Sequence, residues 1–122
     1  MDNEHVTVVY KWTAKPGKLE ELKGIYQGVT QAMQANEPGA LAVQVYASED
    51  ENALYIRDEF ADAGALGYHL SETAGPHFPT LLEVATPGAF YFFGDVPVEM
   101  QQAAKEMGLA AEFAGQVAGY DR

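Results

Sequence analysis

Cysteine is absent from the 122-residue chain. That excludes disulfides, thiolate nucleophiles, iron–sulfur clusters and cysteine-ligated zinc. Basic residues are scarce: 7 Lys and Arg stand against 18 Asp and Glu, a formal charge of −11. A surface this negative repels nucleic-acid phosphates and anionic headgroups, so neither nucleic acid nor a membrane is expected as a partner. No apolar run approaches the ~20 residues that span a bilayer. Met1-Asp2-Asn3-Glu4-His5 offers neither a basic nor an apolar stretch, so no signal peptide is read there and a cytoplasmic location is expected. Phosphate-binding glycine loops, a dinucleotide fingerprint and a GxSxG elbow are missing too. What remains is a globular composition, 48% hydrophobic and 11% aromatic. Without repeats or a long linker, it reads as a single domain over residues 1–122.

Periodicity places the elements. His5 to Ala14 alternates, with Val6, Val8, Tyr10 and Trp12 on one face of a strand. Lys15-Pro16-Gly17 breaks it, with Pro16 suited to a first helical turn. Lys18 to Asn36 is an amphipathic helix with the stripe Leu19, Leu22, Tyr26, Val29 and Met33. Glu37-Pro38-Gly39 ends that helix. Residues 40–60 form a hairpin of two strands around the polar turn 48–52. Residues 62–85 read as a helix in two pieces, interrupted at Thr73-Ala74-Gly75-Pro76. Within it the glycines of Ala63-Gly64-Ala65-Leu66-Gly67 serve close packing. Pro87-Gly88 stops the helix and Ala89 to Val96 is a fourth strand. The order β-α-β-β-α-β is α+β and ferredoxin-like. A short helix over 98–107 and an extended arm over 113–120 follow it. Two helices cover one face of such a sheet, yet Phe90-Tyr91-Phe92-Phe93 is apolar on both. A second copy packed sheet to sheet, a homodimer, would cover the other face.

Few side chains could carry chemistry. His69 shares the apolar stripe of Ala63, Leu66 and Leu70, so it points toward the sheet or sits capped at the solvent edge. His77 follows Gly75-Pro76 at a helix start, which favours its neutral form. Their spacing matches no zinc motif, so no metal is expected. Tyr10 and Trp12 either pack in the core or wall an aromatic pocket, with the Tyr10 hydroxyl as its polar handle. Arg57 suits an ion pair. Asp58 points inward or sits at a strand end. Glu49-Asp50-Glu51 is a solvated turn.

The pattern resembles the antibiotic-biosynthesis monooxygenase family, dimeric α+β barrels that include quinol monooxygenases and haem-degrading enzymes. The resembling segments are residues 8–17, Glu37-Pro38-Gly39-Ala40-Leu41, Tyr55-Ile56-Arg57-Asp58-Glu59-Phe60, and Tyr68-His69-Leu70-Ser71 leading to Pro76-His77-Phe78. With the element order they cover a core of 5–95, leaving 97–122 as an extension. The resemblance implies oxidation of a small aromatic phenol, quinol or anthrone by O₂ without metal, flavin or other cofactor. It implies His69 or His77 as base, Tyr10 as hydrogen-bond donor, and Val8, Trp12, Tyr68, Phe78 and Leu81 as substrate-binding wall. The histidines lie further apart than in the family pattern. Of the haem-degrading set only His77 would remain, because Tyr10 takes the asparagine position and Gly67 the tryptophan position. This argues against haem degradation. The competing expectation is a non-catalytic ligand-binding or stress-associated dimer on the same fold.

Overall fold

The first strand sets the frame. In the computed structural model, which describes residues 4–122, β1 (Val6–Ala14) buries alternate side chains and lies between two antiparallel neighbours. The sheet order is β2-β3-β1-β4-β5, with β2 over Ala40–Ser48, β3 over Ala53–Phe60, β4 over Ala85–Phe93 and β5 over Ala111–Ala114. The first four strands have the ferredoxin-like arrangement. β5 adds a parallel edge beside β4, with Phe113 stacked on Phe92 at 4.9 Å. Residues 1–3, read above for a leader, lie outside the described residues.

Helices α1 (Leu19–Asn36), α2 (Ala63–His69) and α3 (Gly75–Val84) cover the inner face. The α1 stripe is buried as its spacing requires: Leu19, Leu22, Tyr26, Val29 and Met33. Pro16 does not open the helix. It sits in a turn closed by Lys18 N–H on the Lys15 carbonyl at 2.9 Å, with Gly17 at φ +77°. That geometry favours Pro then Gly at the two central positions. Asp62 caps α2 by accepting from the Ala65 N–H at 2.8 Å.

Boundaries in the second half of the chain differ from the sequence reading, the fourth strand running Ala85–Phe93 rather than 89–96. The helix over 62–85 is not interrupted: α2 passes through a π turn, Leu70–Ala74, into α3. Pro76 has no N–H to donate back, and the chain opens its ladder just before it rather than ending. Pro87-Gly88 does not stop the helix either; α3 ends at Val84 and both residues lie inside β4. Pro87 pairs with Trp12 just beyond a register shift in the β1–β4 ladder, outside the stretch Phe90–Phe93 that β5 covers, and proline is tolerated at such an irregularity.

Helix α4 (Val98–Glu106) crosses toward α2, where Gly67 faces the Met100 methyl. The expected arm over 113–120 is strand only to Ala114; residues 115–122 are exposed, with Val117 98% accessible. The outer sheet face carries exposed Tyr46, Tyr55, Tyr91 and Phe93. Among the described residues, no helix is long and apolar enough to cross a membrane.

Candidate active site

A cavity lies between the inner sheet face and the helices. Its walls are apolar, from Val8, Trp12, Phe78, Leu81, Phe90 and Phe92, with Met107 and Leu109 from the extension closing one side. Its free volume is about 50 Å³. One water needs ~10–15 Å³ by this measure, so the space is real but narrow. Trp12 meets Phe78 edge-on at 5.6 Å, and Tyr10 stacks on Phe90 at 4.6 Å. The titratable groups at the wall are Tyr10, Tyr26, Asp58, His69 and His77.

His69 comes from the last turn of α2, on the buried stripe with Leu66. Its Nδ1 is 3.1 Å from Oε2 of Glu37, a buried carboxylate. The Thr73 hydroxyl donates to the same oxygen. Burial pushes the Glu37 carboxyl up, but the hydrogen bonds from His69 and Thr73 outweigh it and hold the group below the usual carboxylate range. An ionised Glu37 makes Nδ1 the donor, so in the neutral ring Nε2 is the nitrogen with a free lone pair, on a residue that lines the cavity. This is the orienting arrangement of a general base backed by a carboxylate.

The π turn decides whether His77 joins it. Eight residues of regular α-helix would leave the two side chains about 80° apart around the axis. The π turn takes up one extra residue, making the effective separation seven and the angle about 20°. Both histidines therefore face the cavity. His77 Nδ1 donates to the Thr73 carbonyl at 2.8 Å, which in the neutral ring leaves Nε2 as the acceptor. Thr73 links the two, its hydroxyl on the Glu37 carboxylate behind His69 and its carbonyl on His77.

Asp58 stands opposite Val8 on β3 and is 2% accessible. The Tyr10 hydroxyl donates to its Oδ2 at 3.0 Å. Burial pushes this carboxyl up to about 6, against the lowering influence of His69 and of the Tyr10 hydrogen bond. Burial, with the nearby Asp58 charge, also raises Tyr10 well above its ordinary value, so it stays a neutral phenol. Its donor is committed to Asp58, which departs from the expectation of a free donor toward substrate. Tyr26, on α1, is raised chiefly by burial as well. Oδ1 of Asp58 is buried without a hydrogen-bond partner.

The structure thus brings Val8, Tyr10, Trp12, His69, His77, Phe78 and Leu81 to one cavity. It does not bring Tyr68, which is 48% exposed and borders a separate depression beside Pro38 and Gly39. A neighbour of His69 on a helix points about 100° away from it. From sequence alone Glu37 reads as a helix stop and Tyr26 as core, and neither reads as part of a site. The one legible signal was a Glu immediately after an apolar stripe, where a solvent-facing residue is the default. Among the described residues, no group of three or more His, Asp or Glu side chains is gathered as metal ligands.

The profile of the antibiotic biosynthesis monooxygenase family matches residues 5–80. The chain belongs to that family. Within this monooxygenase-family member, every polar group of the cavity from Tyr10 to His77 falls inside the matched span, while Met107 and Leu109 lie beyond it. Among solved structures, MupZ from Pseudomonas fluorescens is 17% identical with a TM-score of 0.82, covering 100% of this chain and 92% of that one. SnoaB of Streptomyces nogalater, a cofactor-independent oxygenase, is 21% identical with a TM-score of 0.62, covering 78% and 96%. A conserved Methanosarcina mazei protein is 23% identical with a TM-score of 0.64, covering 74% and 91%. These likenesses establish the shared fold. MupZ is matched through the C-terminal extension as well. No curated protein matches the sequence.

Proposed function

We propose that the protein is a cofactor-independent monooxygenase that oxidises a small aromatic phenol, quinol or anthrone with O₂, acting as a cytoplasmic homodimer. The observation that carries this reading is the His69–Glu37 pair, an oriented base opening onto an apolar cavity. Family membership and the similarity to SnoaB support it.

The chemistry asks for a base, a dry pocket and a route for protons. His69 Nε2 takes a proton from the activated substrate, and the Glu37 carboxylate stabilises the resulting imidazolium. The stabilised anion transfers an electron to O₂, and the radical pair collapses to a peroxide on carbon. His69 returns its proton and water leaves. For an activated CH₂ the balance is R₂CH₂ + O₂ → R₂C=O + H₂O. The apolar walls keep bulk water from quenching the anion. The outer-face aromatics Tyr46, Tyr55, Tyr91 and Phe93 support the homodimer, since packing sheet to sheet would bury them.

The test is oxygen uptake against a panel of quinols and anthrones, with chelator present and flavin absent. His69→Ala should lower turnover by roughly 10²–10⁴-fold, the range for losing a general base. His77→Ala should cost less. If His77→Ala alone abolishes turnover, the base is misassigned; if neither matters, the general-base mechanism is wrong. A non-catalytic ligand-binding protein is the second reading, favoured by the narrow free space that Trp12 and Phe78 leave. Tight ligand binding without oxygen uptake across the panel would establish it.

A further inference from the structure

The mechanism above uses His69 and Glu37 and leaves Asp58 without a task. Yet Asp58 is an unusual group to bury. One of its oxygens is held by the Tyr10 hydroxyl at 3.0 Å, which fixes the carboxyl plane. The other, Oδ1, has no partner, and the residue borders the cavity. The groups facing it are Tyr10 from β1, Tyr26 from α1 and His69 from α2, with Glu37 behind His69. None of them donates a hydrogen bond to Oδ1. An acceptor fixed in direction, with no donor of the protein on it, would be satisfied by a donor entering the cavity that Asp58 borders.

We infer that Asp58 is the residue that recognises a hydroxyl group on the aromatic ligand, through Oδ1, at a point of the cavity distinct from the base His69. This inference rests on the proposed function for the ligand's aromatic character and adds the group that orients it. A carbonyl or ether oxygen in the same place brings two acceptors together and is rejected. The subsite therefore favours the hydroxyl-bearing, reduced form of an aromatic over its carbonyl-bearing product. Rejection is strong in sites of this type, because the analogue leaves a buried polar group unpaired. With the carboxyl pushed up only to about 6, it is an ionised acceptor at neutral pH.

The experiment is anaerobic calorimetry, so that binding is read without turnover. The probes are 1,4-benzenediol and 1,4-difluorobenzene, similar in size but differing in the hydroxyl donors. Asp58→Asn places an amide where the carboxylate stood. It should lower the ratio of diol to difluoro affinity by about tenfold, the scale of a hydrogen bond to a charged group. The same loss should appear in the His69→Ala background, which excludes an effect relayed through the base. Asp58→Leu, which removes the acceptor outright, should reproduce it. An unchanged ratio, a loss confined to proteins that retain His69, or failure of the diol to bind the unaltered protein at millimolar concentration overturns the inference. Because no oxygen is present, these outcomes are independent of whether the protein proves to be an oxygenase.

Discussion

Asp58→Asn should make the protein more stable near neutral pH and leave it little changed once the pH falls below the ordinary carboxyl value of 3.8. The carboxyl has an ordinary value of 3.8 and sits at about 6 in the folded protein, chiefly because burial disfavours its charge. The folded state therefore holds this proton more tightly than the unfolded chain. The contribution to stability is fully present below 3.8 and is lost as pH rises through about 6. At 1.36 kcal/mol per pKa unit the loss amounts to about 3 kcal/mol by neutral pH. Asparagine keeps an acceptor for the Tyr10 hydroxyl and carries no charge to bury. Allowing for imperfect amide placement, the variant should gain about 1–3 kcal/mol at neutral pH and close to nothing in acid. Urea unfolding of both proteins across that range, compared as a difference at each pH, isolates the group. Glu37 slopes the other way: its carboxyl is held low, so its contribution is lost as pH falls, but it is present in both proteins and largely drops out of the difference. A difference that does not vary with pH, or one that favours the variant more in acid than at neutral pH, would refute the reasoning.

Glu37→Gln removes the charge behind His69 while keeping the shape, and turnover on any confirmed substrate should fall by roughly 10–100-fold, as for other orienting partners. Deleting residues 109–122 takes away Leu109 from the cavity wall and Phe113 from its stack on Phe92. A thermal melt should show a lower midpoint, and an unchanged one would mean the segment is a loose tail. Sedimentation should give about twice 13.2 kDa. Replacing Tyr91 and Phe93 together with serine should shift that mass toward the monomer, and no shift would place the interface elsewhere.

The chain by itself determined the elements that depend on period. The alternation of Val6, Val8, Tyr10 and Trp12 and the stripe from Leu19 to Met33 each have one way to bury their apolar faces. Their order leads to the ferredoxin-like sheet, and the two-faced aromatic strand Phe90–Phe93 leaves Tyr91 and Phe93 exposed outside. His69 was legible as a cavity residue because it lies on a stripe. What the tertiary structure alone decided depends on contacts between segments far apart in the chain. Glu37 becomes the partner of His69 only because the end of α1 meets α2 across 32 residues. Asp58 becomes a buried acceptor only because β3 pairs with β1 in a register that sets it beside Tyr10. The π turn that aligns His77 with His69 is a response to Pro76 and to packing, and no local period announces it. Periodicity tells a side chain which face to take; the charge or hydrogen-bond partner it meets there is set by the other segments folded against it.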